Sequence, residues 1–131
     1  MFDKYIICED GFQNVSDGQQ ISGFQFKARL PYYRGLGVSM VEDLAVKVDG
    51  QAIPREAIRV TLHGRTYTLA ELETEYEDRW EFGEPGTVTV MKPGGLSAGA
   101  HTLEVAPSLR ISYLPFILVG TDAKELKLAS A

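Results

Sequence analysis

Cysteine and positive charge are both scarce in this sequence. Cys8 is the single cysteine among 131 residues, so an internal disulfide is impossible and a zinc site built on several thiolates is excluded. Thirteen basic residues stand against 18 acidic ones, and the resulting net charge of -5 favours neither a nucleic acid nor an anionic membrane as a partner. We therefore expect no nucleic acid and no membrane among its partners.

Long apolar runs are missing as well. No segment approaches the roughly 20 apolar residues of a membrane-spanning helix. The first ten residues, MFDKYIICED, lack the basic and apolar regions of a secretion signal. A lone cysteine also fits a reducing compartment. We expect an unexported, cytoplasmic protein in which residues 1–131 form one domain.

Sequence motifs that organise catalysis are also absent. The nucleophile elbow G-x-S-x-G does not occur, and neither do the phosphate-binding patterns G-x-G-x-x-G and G-x-x-x-x-G-K-[ST]. Cys8 lies in a strand-like apolar run, where a buried and inert thiol is expected. One acidic run lacks calcium-loop spacing and a nearby histidine, so it predicts a solvated acidic face rather than a metal site. Its members are Glu71, Glu73, Glu75, Glu77, Asp78, Glu81 and Glu84.

Only two histidines are available for general acid–base chemistry. His101 precedes a predicted strand, where a structural or exposed role is favoured over catalysis. His63 stands beside Gly64 at a predicted hairpin turn, a place where binding groups are common. No sequence neighbour identifies either histidine as a base. The sequence therefore gives little support to the hypothesis that the chain is an enzyme by itself through His63.

What the sequence has in abundance is alternation of apolar and polar residues. A period of two is typical of strands with one buried and one wet face. The alternation is clearest in residues 24–30 and recurs at Leu44/Val46/Val48, Ile58/Val60/Leu62, Tyr67/Leu69, Val88/Val90, Leu103/Val105, Leu109/Ile111/Tyr113 and Leu126/Leu128. Glycine-containing turns separate these runs. The pattern predicts an all-β fold, an antiparallel β-sandwich of the immunoglobulin- or fibronectin-like kind.

One short helix is predicted between the strands. Thr68 and Glu71 have capping-box spacing, and good helix formers follow, which indicates one or two helical turns at residues 68–72. Beyond this helix, Tyr76, Trp80 and Phe82 would share one side if their segment is extended.

The stretch LPYYRGLGVSM, residues 30–40, concentrates residue types that are enriched at recognition surfaces. Tyrosine, arginine and methionine combine large contact area with directional or adaptable contacts, and glycine permits close approach of another group. One interpretation is a contact loop. The other, equally weighted, is a strand-ending loop in which Tyr32 and Tyr33 cover the end of the core.

Four segments carry a family resemblance that runs in order along nearly the whole chain. They read KYIICEDGFQNV, GFQFKARLPYYRGLGVSMVEDL, LHGRTYTLAELETEYEDRWEFGEP, and KPGGL with LRISYLP. Together they resemble the beta, or small, subunit of bacterial C-glycoside deglycosidases. The resemblance implies a noncatalytic β-sandwich subunit that binds a larger catalytic subunit with a xylose-isomerase-like barrel.

The same resemblance implies where the chemistry lies. The large subunit would carry the base and a divalent metal, often manganese, so no cofactor is expected on this chain and no catalytic residue is carried over onto it. The substrate would be a C-glycoside already oxidised at C3 of the sugar and bound mainly by the large subunit. Removal of the C2 proton would then expel the aglycone from C1 by β-elimination, while the metal polarises the ketone.

Eight residues are candidates for contact with the larger subunit or for shaping the entrance to its site. They are Tyr32, Tyr33, Arg34, Met40, His63, Arg65, Arg79 and Trp80. The alternative function is a stand-alone β-sandwich module whose aromatic residues bind a carbohydrate or a protein. Solution behaviour separates the two functions, because an obligate subunit that lacks its partner exposes an apolar patch.

Overall fold

Most of the alternating apolar residues form strands, as their period predicts, whereas Ile111 and Tyr113 of the predicted alternation lie outside the described residues. A computed structural model describes residues 5–31, 35–81, 83–110 and 117–128. Within these ranges the chain forms one α-helix, α1 (Leu69–Leu72), and twelve strands. The strands are β1 (Gln13–Asp17), β2 (Gln20–Ala28), β3 (Leu36–Gly37), β4 (Val41–Val48), β5 (Gln51–Ala52), β6 (Ile58–Leu62), β7 (Arg65–Thr68), β8 (Arg79–Trp80), β9 (Gly86–Met91), β10 (Gly99–Arg110), β11 (Ile117–Val119) and β12 (Asp122–Leu128).

The longer strands form two antiparallel sheets. The first has the order β1-β2-β9-β6-β7. In the second, β4 pairs with one edge of β10, β5 lies beyond β4, and the other edge of β10 pairs with β12 and then with β11. The short strands β3 and β8 form a separate antiparallel ladder. Strands that are distant in sequence therefore lie side by side, and β10 is the central strand of the second sheet.

Side chains from both sheets form one apolar core. Phe24 and Phe26 of β2, together with Leu103 and Val105 of β10, have no exposed surface and belong to the same buried cluster. Burying a side chain of this size stabilises the fold by about 1.5–3 kcal/mol relative to leaving it in water. The predicted all-β antiparallel sandwich with one short helix is thus confirmed.

The helix forms where the capping box predicts it. The Thr68 side chain accepts a hydrogen bond from the Glu71 amide at 3.0 Å, and the Glu71 carboxylate accepts one from the Thr68 amide at 2.8 Å. Leu69 was also expected to continue the strand alternation of Tyr67, which is wrong because the capping box begins the helix at Leu69. Leu69 and Leu72 are nevertheless buried. Within the described ranges, no helix has the length and apolar character needed to cross a membrane.

Two of the predicted turns close tight hairpins. Asp49 and Gly50 join β4 to β5 with φ of 49° and 82°, and His63 and Gly64 join β6 to β7 with φ of 53° and 78°. Positive φ at both central residues is the type I′ geometry, which matches the twist of the flanking strands. The two turns therefore fix the positions of Asp49 and His63 relative to the strands that they join.

The N-terminal segment is tied to both sheets. Ile7 forms an antiparallel bridge with Ala28 of the first sheet, and its amide donates to Asp122 Oδ2 of the second sheet at 3.0 Å. Lys124 Nζ donates to the Ile7 carbonyl at 2.6 Å. Cys8 is buried beside this junction, and burial raises the pKa of its thiol. Cys8 is therefore buried as its apolar run predicts, and the raised pKa of its thiol disfavours the reactive thiolate.

Candidate contact site at one end of the sandwich

Loops from several strands meet where β2 ends and β9 begins. We call this region the β8 end and define it as residues 35–40, 63–65, 73–81, 83–84 and 110. The β3–β8 ladder pairs Leu36 with Trp80, and the Val38 amide donates to the Asp78 carbonyl at 3.0 Å. Val38 begins a 3-10 turn, Val38–Met40, which leads into β4. The described part of the 30–40 stretch is thereby joined to the acidic run.

Trp80 anchors the β8 end to the core. Its indole is fully buried, and its Nε1 donates to the Glu84 carbonyl at 2.7 Å. The ring lies over Gly86, where an added Cβ would be 2.8 Å from Trp80 Cζ2 and 3.1 Å from Leu62 Cδ2. The sequence placed Trp80 among the contact residues, but a side chain with no exposed surface offers no contact area. Its buried indole instead holds the β8 segment against the core.

His63 links the hairpin turn to the acidic run. Its Nδ1 lies 2.8 Å from Asp78 Oδ1, and its Nε2 lies 2.7 Å from Glu84 Oε2. The imidazole side chain is 46% exposed, whereas those of Asp78 and Glu84 are only 12% and 25% exposed. The histidine therefore lies at the surface, and the carboxylates that hold it lie partly below.

This geometry favours the imidazolium form of His63 while both carboxylates are ionised. Ionised carboxylates only accept hydrogen bonds, so both ring N–H groups must donate. The hydrogen bond to Asp78 and then that to Glu84 raise the pKa of His63 above its ordinary value of 6.5. An imidazolium with both nitrogens engaged has no lone pair with which to remove a proton. The arrangement thus suits His63 to hold segments together rather than to act as a base.

Asp78 is the centre of this hydrogen-bond network. Burial by itself raises the pKa of Asp78, but hydrogen bonds from Tyr67, His63 and the Arg79 amide outweigh it and lower the pKa. The Tyr67 hydroxyl donates to Asp78 Oδ2 at 2.7 Å. Burial, followed by this hydrogen bond, raises the pKa of Tyr67 to about 12. The phenol consequently stays protonated and keeps donating at neutral pH.

The Glu75 side chain is only 18% exposed, and the prediction of a solvated acidic face is also wrong for Asp78 and Glu84. Both carboxylates are engaged by His63 and are mostly shielded from solvent. Sequence reasoning missed Asp78 and Glu84 as partners of His63, and Tyr67 as the donor to Asp78. Asp78 and Glu84 lie 15 and 21 residues from His63 along the chain, and no local spacing rule connects them.

Arg65 and Arg79 supply exposed positive charge at the β8 end. Arg65 Nη2 lies 3.5 Å from Glu75 Oε2, and its guanidinium carbon lies 5.4 Å from the centre of the Tyr67 ring. Arg79 Nε donates to Glu81 Oε1 at 3.1 Å. The two arginine side chains are 61% and 58% exposed, so both positions are available to a partner.

Met40 lies apart from the His63 network and lines a surface pocket of about 320 Å³. The side chains around this pocket are Ser39, Met40, Glu42, Glu73, Tyr76 and Arg110. Tyr76 and Trp80 were expected to share one side only if their segment is extended; Tyr76 is 78% exposed and Trp80 is fully buried, so they do not share a side. The reason is that β8 contains only Arg79 and Trp80 and does not extend back to Tyr76.

Three of the eight candidates, Tyr32, Tyr33 and Arg34, lie outside the described residues, as does Phe82 of the predicted aromatic alternation. The flanking residues Leu30 and Pro31 are buried. For Tyr32 and Tyr33, both interpretations, a contact loop and a cover for the end of the core, therefore stay predictions.

His101 lies at the opposite end of β10 and has the structural role that was favoured. It is 8% exposed, its Nδ1 lies 2.6 Å from Asp49 Oδ2, and its Nε2 lies 2.7 Å from the Ser97 carbonyl. The hydrogen bond to Asp49 and then that to Ser97 raise the pKa of His101 above its ordinary value of 6.5. The residue closes the Asp49-Gly50 turn onto β10.

A metal site is not apparent in the described part of the chain. No three or more His, Cys, Asp or Glu side chains there are arranged as a group that could hold a metal ion. The His63, Asp78 and Glu84 side chains are instead committed to one another.

Comparison with known proteins gives a consistent set of relatives. Residues 2–113 match the C-glycoside deglycosidase beta subunit family. The C-glycoside deglycosidase beta subunit of Eubacterium cellulosolvens is 38% identical over 117 residues, covering 88% of this chain and 80% of the relative. The 3'-dehydrocarminate deglycosidase beta subunit of a Microbacterium species is 39% identical over 132 residues, covering 96% and 95%. A C-glycoside deglycosidase beta subunit of Arthrobacter globiformis is 35% identical over 104 residues, covering 79% of each chain.

Proposed function

This chain belongs to the C-glycoside deglycosidase beta subunit family, and on that premise we propose that it is the noncatalytic small subunit of a heteromeric enzyme that cleaves C-glycosides. Its partner is a larger subunit with a xylose-isomerase-like barrel. That partner holds the base and a divalent metal such as manganese, which supplies Lewis-acid polarisation of a ketone when bound. The complex works in the cytoplasm on substrates oxidised at C3 of the sugar.

The reaction assigned to the complex is a β-elimination. The ketone at C3 acidifies the C2 proton, which a base removes. The C2–H electron pair then forms a double bond to C1 while the bond between C1 and the aglycone carbon breaks. The aglycone carbon takes up a proton, so the products are the free aglycone and an unsaturated keto-sugar. No oxidant or reductant is consumed in this step.

The observation that carries the noncatalytic role is the hydrogen-bond geometry around His63. At the β8 end the imidazole is held on both nitrogens by carboxylates, so its geometry supports rigidity rather than proton transfer. Around it the exposed residues Arg65 and Arg79 belong to a type that is enriched at protein interfaces. We assign the β8 end as the face that contacts the larger subunit.

Co-purification tests this assignment. The tagged chain should retain a larger, metal-containing protein in fixed ratio, and the pair should release aglycone from a 3-oxo-C-glucoside while neither subunit does so alone. Recovery of the chain by itself, folded and monodisperse, would favour the stand-alone binding module and overturn the proposal.

A matched pair of variants locates the interface. Arg79→Ala removes an exposed charge at the β8 end, whereas Lys127→Ala removes one near the opposite end of β10, where Lys127 pairs with Ala100. We expect Arg79→Ala to weaken retention of the partner by about fivefold or more, as for an interface arginine, and Lys127→Ala to leave retention unchanged. The reverse result would place the interface at the other end of the sandwich.

A further inference from the structure

The pocket that contains Met40 has the make-up of a small-molecule site. Met40 and Tyr76 give it an apolar wall, and Glu42, Glu73 and Arg110 give it a polar rim. Its volume of about 320 Å³ falls at the small end of ligand pockets, which span roughly 300–1,000 Å³. An aromatic residue that is 78% exposed, as Tyr76 is, offers one broad face for stacking.

Ion pairs hold the rim in place without a ligand. Arg110 pairs with the Glu42 carboxylate. Arg55 Nη2 donates to Glu73 Oε1 at 3.2 Å and to the Glu42 carbonyl at 3.0 Å, and Arg55 Nε donates to Asp43 Oδ1 at 3.4 Å. These side chains are between 31% and 66% exposed, so the ion pairs orient the carboxylates and leave them accessible to a ligand. The acceptors of the pocket are therefore already positioned.

The charges around the pocket favour a neutral ligand. Glu42, Asp43 and Glu73 outnumber the cations Arg55 and Arg110 by three to two, and each arginine is engaged by a carboxylate. A phosphate or sulfate group would meet net negative charge, which disfavours it. Carboxylates accept charge-assisted hydrogen bonds from hydroxyl donors. The ligand should then be uncharged and carry hydroxyl groups at its edge.

The apolar wall indicates a flat aromatic ring. Aromatic rings stack on a tyrosine face and approach a methionine sulfur favourably at the ring edge. We infer that the pocket between Met40 and Tyr76 binds a phenolic ring, the aglycone portion of the C-glycoside. This inference rests on the proposed function, in which the larger subunit takes the sugar. A carbon leaving group also departs readily only when its ring stabilises negative charge, as a phenol does.

Methyl labelling of methionine provides a direct test on the intact chain. The sequence has three methionines, so a chain carrying ¹³C-methyl methionine gives three methyl signals, assigned with Met40→Leu and Met91→Leu. Met40 lines the pocket, whereas Met91 is 45% exposed on β9 and lines a separate surface pocket, so it serves as the control for unselective binding of a ring to apolar surface. Resorcinol is the probe for the phenolic ring, and glucose is the probe for a sugar.

We expect resorcinol to move the Met40 methyl signal by its ring current in a saturable way, with a dissociation constant on the order of 1 mM for so small a ring. Met91 should stay in place, and glucose should move neither signal. Equal shifts at Met40 and Met91, no shift up to the solubility limit of resorcinol, or a response to glucose alone would each overturn the inference.

Tyr76→Ala provides the second readout. Because Tyr76 is largely exposed, its replacement should leave the fold intact, and loss of the stacking face should weaken resorcinol binding about fivefold. An unchanged affinity would contradict a stacked ring. The resorcinol titration uses this chain alone. If no binding is seen, the pocket inference fails but the co-purification test of the proposed function is unaffected. If no partner co-purifies, the titration can still be interpreted.

Discussion

The two ends of the sandwich each carry one histidine, and each histidine is held between two acceptors. At the β8 end, His63 lies between Asp78 and Glu84 and remains 46% exposed. At the other end, His101 lies between Asp49 and the Ser97 carbonyl and is 8% exposed. The hydrogen-bond pattern is the same, and the burial differs. Burial therefore decides what each imidazolium does for the protein.

A buried imidazolium stabilises the fold, because removing the histidine side chain leaves its hydrogen-bond acceptors without a donor. His101 also packs edge-to-face on Phe12, with ring centres 6.2 Å apart. An exposed imidazolium contributes little, since water can replace its partners and salt screens them. His63 nonetheless fixes the shape of the surface around it. The two histidines thus differ in role, since His101 stabilises the sandwich and His63 orders the surface around it.

The largest effect on stability is expected from removing the Trp80 side chain, which anchors the β8 end. Trp80→Ala should lower the free energy of unfolding by about 3–5 kcal/mol, because it deletes a buried indole. Chemical denaturation followed by circular dichroism measures the loss. Native-state hydrogen exchange at the Val38 amide, which bonds to the Asp78 carbonyl, should show that the β3–β8 ladder opens first.

Trp80→Phe is the milder companion variant, for the case in which Trp80→Ala fails to fold. It keeps an aromatic ring but removes the donor to the Glu84 carbonyl, so we expect a loss of about 1–3 kcal/mol. If the Val38 amide is as protected in this variant as in the natural protein, the indole is not what anchors the β8 segment.

The next effect is at the opposite end. His101→Ala should lower the free energy of unfolding by about 2–3 kcal/mol, because it leaves the Ser97 carbonyl without its donor and opens space beside Phe12. His63→Ala, the matched control, should destabilise less because its side chain is half exposed. Equal losses measured by denaturation would show that burial does not separate the two histidines.

A double-mutant cycle refines this result. Asp49→Asn keeps a residue that tolerates the positive φ of the turn but removes the charge that faces His101. Its effect should be smaller when His101 is already absent, because the two changes delete the same interaction. Simple additivity would mean that Asp49 acts through the turn alone.

Local rules of sequence explain why the fold was predictable. The capping box at Thr68 and Glu71 spans three residues and marks the helix where it forms. The alternation of Val46 with Val48 on β4, like that of Val88 with Val90 on β9, places those side chains in the core. Such signals depend on neighbouring residues only. The pairing order of β10 with β4, β11 and β12 carried no comparable signal, because it depends on contacts far apart in sequence.

The site was predictable only in part, for the same physical reason. Turn position singled out His63, but its partners Asp78 and Glu84 are reached through space and not through a spacing rule. Composition marked Trp80 as a contact residue without revealing that it is buried. Residue type indicates what a side chain can do, whereas burial, which depends on the whole fold, decides whether it is available.

The pH dependence of stability separates the two ends further. The pKa of His101 is raised, so its stabilising contribution is complete below the ordinary value of 6.5 and is lost as the pH rises through the folded-state pKa. The pKa of Asp49 is lowered, so its contribution is present above the ordinary value of 3.8 and is lost as the pH falls through the folded-state pKa. Stability from this pair should therefore be greatest between these ordinary values.

Denaturation at a series of pH values checks this expectation. His101→Ala should flatten the alkaline decline more than His63→Ala does, although the pKa of His63 is raised in the same direction. If the loss of stability at alkaline pH is the same in His101→Ala as in the natural protein, groups other than His101 cause that loss.

The smallest expected effect concerns only the network at the β8 end. Asp78→Asn removes the acceptor that contributes most to the raised pKa of His63, so that pKa should fall toward 6.5. The pKa of Tyr67 should fall below its value of about 12 but stay above the ordinary 10.0, because burial is the larger cause of its rise. NMR titration of the two imidazole rings and ultraviolet titration of the phenols measure both changes. Asp49→Asn is the matched control, since it should lower the pKa of His101 and leave His63 unaffected. A His63 pKa that does not move in Asp78→Asn would mean that Glu84 alone sustains the imidazolium and that Asp78 serves mainly to hold Tyr67.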